Sequence, residues 1–234
     1  MQEGTLPKNY VDFCVTMKRR SVFSHLVAAF IGLLSGCSQA QQANTKVPSP
    51  TGKKQVLIVV LSRTGNTKAV AEFIQQVVGG KVVALELKTP YPADYKTTVQ
   101  QVERENETGY LPPLKTKIEL IEQYDTVFLG SPTWGMQLPP PMKSFLHQYS
   151  LKGKTVIPFN TNAGYGEGSS FETVKKLCPQ STVLEGFVTR GGIERDGQLL
   201  VIKEARAQAV QKEVEDWLRK IKMLPAKPDR APAK

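Results

Sequence analysis

Residues 55–67 read QVLIVVLSRTGNT, and this stretch decides the architecture. Its first part, 55–61, is an almost unbroken apolar run rich in β-branched residues, the pattern of a strand buried on both faces in a parallel sheet. Ser62, Arg63, Thr64, Gly65, Asn66 and Thr67 follow, with hydroxyls at alternate positions and a glycine that lets the backbone turn tightly. Beyond Thr67 the apolar residues Val70, Phe73, Ile74 and Val77 are spaced i, i+3, i+4, i+7, so a helix starts at once, and it ends at Gly79 and Gly80. Hydroxyls beside the free N–H groups of a helix N-terminus form a cradle suited to a phosphate monoester. The loop has neither a Walker lysine nor the G-x-G-x-x-G spacing, so nucleoside triphosphates and dinucleotides fit it less well.

Outward from this unit the alternation continues. Residues 82–87, 126–130, 155–160 and 182–188 read as strands. Residues 139–149, 169–177 and a last segment carrying Val210, Val214, Trp217, Leu218 and Ile221 read as helices. Five strands alternating with helices predict an α/β domain, an open parallel sheet covered by helices on both faces. In such a sheet ligands bind in the crevice at the carboxyl ends of the strands, where the winding reverses.

Two further loops reach that edge. The third strand runs into Gly130, Ser131, Pro132, Thr133, Trp134 and Gly135. A tryptophan on a loop stiffened by proline and glycine is poorly placed for a core and well placed to cover a flat ring. The fourth strand ends in Asn160, Thr161, Asn162, Ala163, Gly164, Tyr165 and Gly166, where closely spaced glycines let backbone amides approach a ligand. The SRTGNT loop resembles the S/T-x-T-G-x-T phosphate loop of flavodoxins, and the Trp134 stretch resembles their S-x-T-W-G segment. Residues 88–95, 139–146 and 153–162 are similar to a bacterial branch of flavodoxin-like proteins.

The resemblance covers about residues 55–221. It implies a doubly wound three-layer sandwich with strand order 2-1-3-4-5, of the short-chain type, because only about ten residues separate Val188 from the last helix. It also implies FMN as cofactor. The phosphate would fall to Ser62, Thr64, Gly65, Asn66 and Thr67, with Arg63 either neutralising it or pointing to solvent. Pro132, Thr133, Trp134 and Gly135 would carry the inner face of the flavin ring, with Trp134 stacked on it. Asn162, Ala163 and Gly164 would line the ring edge. The outer face would fall to Tyr165, or to Phe171 if the loop carries an insertion. The flavin supplies the chemistry, so no acid or base catalyst is expected.

The N-terminal region reads as an export signal. Lys18, Arg19 and Arg20 precede the apolar run LVAAFIGLL at 26–34, far short of the roughly 20 residues that a membrane span requires. The LSGC string ending at Cys37 resembles a bacterial lipobox, which predicts lipidation of Cys37 after removal of residues 1–36, with Met17 the expected start. Residues 37–54 have the Gln, Ser, Thr, Pro and Lys composition of a tether, and 222–234 that of a basic tail. The expected location is the periplasmic side of the cell envelope, with the outer membrane favoured by Ser38 after the cysteine.

The formal charge of +10 suggests a nucleic-acid partner only until it is divided along the chain. Residues 55–221 hold twenty basic and eighteen acidic side chains, so the excess lies in the signal, tether and tail. No nucleic acid is expected. Cys14, Cys37 and Cys178 match neither a zinc site nor a disulfide framework, and one histidine, His147, remains after cleavage, which gives Ser/His hydrolysis little support. Glu103, Glu105 and Glu107 read as a solvated face. The leading expectation is a lipid-anchored FMN electron carrier exchanging with a redox protein or small-molecule acceptor. The alternative is an FMN-dependent NAD(P)H:quinone-type oxidoreductase, and a module that has lost its flavin is a third.

Overall fold

The computed structural model describes residues 55–226. The signal, Cys37, the whole of the tether and residues 227–234 lie outside the described residues. Six strands, β1 (Val56–Val60), β2 (Lys81–Ala84), β3 (Thr126–Pro132), β4 (Thr155–Asn162), β5 (Thr182–Val183) and β6 (Phe187–Arg190), form one parallel sheet. The order is β2-β1-β3-β4-β5, and β6 also pairs with β4. Among the described residues five α-helices, α1 (Asn66–Val78), α2 (Tyr95–Thr108), α3 (Pro140–Gln148), α4 (Ser170–Leu177) and α5 (Glu204–Lys220), and two 3₁₀ turns, Ile121–Gln123 and Glu194–Asp196, accompany the sheet.

Successive side chains of a strand point to opposite faces, and each face here has its own core. Ile58 and Val60, with Phe128, Ile157 and Phe159, pack against Val70 and Ile74 of α1 and Val210, Val214 and Leu218 of α5. Leu57 and Val59, with Val127, Leu129 and Val156, pack against Met142 and Phe145 of α3 and Val174 of α4. Because both faces are covered, β1 is buried at every position, which explains its continuous apolar run. Truncating a wholly buried side chain such as Ile58 to alanine would cost about 2–5 kcal/mol.

Three details depart from expectation. The predicted fifth strand is two segments, because Leu184–Gly186 interrupt the ladder between β5 and β6. The Phe171 ring packs so close to Gly186 that an added Cβ would lie 2.4 Å from it. The carbonyl of Glu185, turned out of the ladder, accepts a hydrogen bond from Trp217 Nε1 at 3.0 Å. Second, residues 95–108 form a helix that periodicity did not predict. Its N-terminus is capped by Asp94, whose Oδ2 accepts from the Thr97 amide at 2.7 Å, and its C-cap is Gly109 at φ 67°. Third, Met223 and Leu224 pack against the α1–α5 core, so the folded region runs past Ile221 into what reads as tail.

Candidate functional site

The carboxyl ends of β1, β3 and β4 place their three loops side by side. A crevice lies among them, lined by Arg63, Thr64, Asn66 and Thr67 of the first loop, Pro132 to Trp134 of the second, and Asn162 and Ala163 of the third. Thr161, Gly191, Gly192, Glu194 and Tyr95 line it too.

In the first loop Gly65, at φ 90°, turns the chain into α1 and leaves the helix without a side-chain cap from its own position. The first intrahelical bond runs from the Ala69 amide to the Gly65 carbonyl at 2.9 Å, so the Asn66 and Thr67 amides precede the helical ladder. The Ser62 hydroxyl accepts from the Lys68 amide at 3.2 Å, and the Thr64 hydroxyl accepts from Asn66 Nδ2 at 2.9 Å. Each hydroxyl acts as acceptor toward the protein, which leaves its proton to donate elsewhere. Thr67 is buried, its hydroxyl 2.8 Å from that of Thr161.

Asn66 has a structural task as well. Its Oδ1 accepts from the Val201 and Ile202 amides at 3.0 and 3.1 Å, and its Nδ2 donates to the Leu199 carbonyl at 2.6 Å. The phosphate-type loop is thereby fastened to the segment before α5, and Leu200 comes to lie over Gly65. Arg63 neither faces the cradle alone nor points to solvent. Its Nε bonds Glu194 Oε1 at 2.6 Å, and its two terminal nitrogens donate to the Pro92 and Ala93 carbonyls at 3.1 and 2.7 Å.

The second loop is a tight hairpin. Trp134 and Gln137 exchange backbone hydrogen bonds of 3.3 and 3.1 Å, and Gly135 and Met136 both sit at φ 57°. A turn with positive φ at both central positions suits glycine and strains methionine. Its geometry is fixed from outside: the Ser169 amide donates to the Met136 carbonyl at 2.9 Å, and a Cβ on Gly168 would lie 2.2 Å from that carbonyl oxygen. Trp134 is half-buried, and the Tyr91 ring meets it edge-on with centroids 5.3 Å apart. Tyr91 in turn donates its phenolic proton to Glu105 Oε2, while Glu105 Oε1 accepts from Gln101 at 2.8 Å. Burial, followed by the hydrogen bond to this carboxylate, holds the Tyr91 phenol well above its ordinary range. Glu105 is therefore buried and partnered, whereas Glu103 and Glu107 are solvated as expected.

In the third loop Asn162 Oδ1 accepts from the Gly164 and Gly166 amides at 2.8 and 3.1 Å, so these two amides turn inward rather than toward a ligand. Asn160 links the two loops, its Nδ2 donating to the Ser131 carbonyl at 3.0 Å and its Oδ1 lying 3.1 Å from the Thr133 hydroxyl. Tyr165 is 66% exposed and does not line the crevice, nor does Gly164. Phe171 lies against Gly186. The aromatic side chain that lines the crevice besides Trp134 is Tyr95, the first residue of α2.

The family model described as Flavodoxin matches residues 55–203. The chain belongs to the flavodoxin family. The chain is also similar to solved flavoprotein structures. A protein of Bacteroides eggerthii DSM 20697 assigned as a flavoprotein is 30% identical, with 72% of this chain and 98% of that chain covered at a TM-score of 0.58. A flavoprotein of Lactobacillus acidophilus NCFM, solved in complex with FMN, is 23% identical, with 62% of this chain and 98% of that one covered at a TM-score of 0.53. At that identity the second likeness bears on fold alone. No curated protein matches the sequence.

Sequence reasoning reached the three loops of this flavodoxin domain but missed Tyr95, Thr161, Gly191, Gly192 and Glu194. Two signals pointed to them: Asp94 as a cap just before Tyr95, and the Gly191–Gly192 pair directly after a strand ending at the same sheet edge.

Proposed function

We propose that the domain binds FMN and exchanges electrons through it. The observation that carries this reading is a cradle and an aromatic wall in one crevice. The Thr64 hydroxyl and the residues that open α1, Asn66 and Thr67, line it together with Trp134 and Tyr95, while Ser62 lies outside its lining. The cradle offers hydrogen-bond donors and no free carboxylate, since Glu194 is tied to Arg63, so its residues fit a phosphate monoester. Trp134, held edge-on by Tyr91, offers its face to a flat ring. Bound FMN would supply one- and two-electron redox chemistry. The side chains would bind the phosphate, orient the ring and limit water at its inner face. The test is to purify the chain and titrate FMN: quenching of flavin fluorescence with a shifted visible spectrum is expected, and a colourless protein that leaves FMN fluorescence unchanged would sink the reading.

We further propose export and lipid anchoring through Cys37 to the periplasmic side of the cell envelope, the outer membrane before the inner. The support is the LSGC string after a charged and apolar leader. Mass spectrometry of the N-terminal peptide should find an acylated Cys37, and Cys37→Ser should move the protein to the soluble fraction. Retention of the unprocessed leader would refute it. The near-neutral charge of 55–221 favours redox partners other than strongly basic proteins.

A further inference from the structure

A second cavity adjoins the crevice and shares Arg63, Tyr95, Thr133, Trp134 and Glu194 with it. Its distinct wall is α2, which contributes the apolar Val99 and Val102 and the amide of Asn106. The orientation of that amide is set chemically. Lys143 Nζ, which can only donate, bonds Asn106 Oδ1 at 2.9 Å, so the oxygen faces α3 and the NH₂ group is the free end. Nδ2 lies beside Gly135, another lining residue, 3.7 Å from where a Cβ would stand. Thus a slot walled by Trp134 and two valines presents an amide donor.

Charge narrows the ligand further. Arg63 also lines the cavity, but every branch of its guanidinium is engaged, by Glu194, Pro92 and Ala93. Among the described lining residues the one charge without an ion-pair partner is the Glu103 carboxylate. An anion is therefore disfavoured, a pyridine nucleotide with its phosphates included. We infer that this cavity binds an uncharged planar carbonyl compound of the quinone class, with Asn106 donating to its carbonyl. The inference deepens the FMN reading by naming the small molecule that would exchange electrons at Trp134, and it rests on that reading for its redox meaning.

The full-length chain, with and without FMN, can be dialysed to equilibrium against 2-methyl-1,4-naphthoquinone and, separately, 2-methylnaphthalene, which lacks the carbonyls. Saturable binding of the quinone is expected, unaffected by FMN. Asn106→Leu should weaken quinone binding about tenfold, as for one lost hydrogen bond, and leave the hydrocarbon unchanged. Val99→Phe, which fills the slot without touching the Lys143 contact, should abolish binding of both while FMN affinity is retained. Absence of saturable binding, an Asn106→Leu effect equal on both probes, or displacement of the quinone by FMN would each overturn the assignment. Quinone binding by a protein that fails to bind FMN would uphold the cavity and defeat the flavin reading.

Discussion

Arg63 and Glu194 meet at 2.6 Å between Nε and Oε1, joining the loop after β1 to a 3₁₀ turn 131 residues later. The pair neutralises the only cation within the phosphate-type loop, so the cradle binds with neutral donors. Glu194→Gln keeps the shape and releases the charge. FMN is expected to bind more tightly relative to riboflavin and with greater salt sensitivity, while stability falls by about 1–2 kcal/mol. Titration of both ligands at two ionic strengths, with chemical denaturation, checks this; an equal change for both would show that Arg63 does not reach the phosphate.

Thr64 accepts from Asn66 and keeps its own proton to donate. Thr64→Val should weaken FMN about 10- to 100-fold, the range for a hydrogen bond to a charged group, and leave riboflavin affinity nearly unchanged. Fluorescence titration with the two ligands decides it.

Asn66 joins Thr64, Leu199, Val201 and Ile202 while only 3% exposed. Asn66→Ala should cost about 2–4 kcal/mol, since several buried partners lose their bonds together. Limited proteolysis should then cut first within 191–203. Unchanged cleavage would mean that the segment is held by other contacts.

Tyr91 links a buried carboxylate to Trp134. Tyr91→Phe retains the ring contact but strips the Glu105 carboxylate of a donor, so a loss of about 1–3 kcal/mol is expected with the near-ultraviolet dichroism of Trp134 largely kept. Tyr91→Leu should lose the dichroism as well.

Cys178 is buried at the end of α4, and burial pushes its thiol from 9.0 up to about 11. With the folded value raised, the unfolded chain loses its proton first. Stability should be level below about pH 9 and decline as pH rises toward about 11. Denaturation against pH should show this slope in the wild type and not in Cys178→Ala. Alkylation of the Cys178 peptide at pH 8 should lag a free thiol by about two orders of magnitude.

The elements legible in the sequence were those whose signal is local. The strand at 55–61, the hydroxyl–glycine loop and the i, i+3, i+4 stripe of α1 each depend on neighbours within one or two turns of chain. Helix α2 was hidden because its buried face is Thr98, Val102 and Glu105, and a carboxylate on that face erases the apolar period. The phenol of Tyr91, brought in from another loop, and the Gln101 amide one turn earlier make that burial tolerable. The outer aromatic was sought after β4, where Tyr165 and Phe171 stand, because neighbours in sequence were the only guide available; the crevice instead meets Tyr95 of α2.

By itself, then, the sequence determined an alternating α/β chain, the carboxyl edge at which its unusual loops gather, and the residue types in each loop, since these follow from periodicity and backbone chemistry. Tertiary structure alone decided which side chains remain free to meet a ligand. Arg63, Asn66 and Asn162 look like ligand donors when read in line, yet they are engaged by Glu194, by the segment before α5 and by the glycine loop. The reason is physical. A polar group drawn out of water takes the nearest partner the fold supplies, and for Arg63 and Asn66 that partner lies 131 to 136 residues away in the chain.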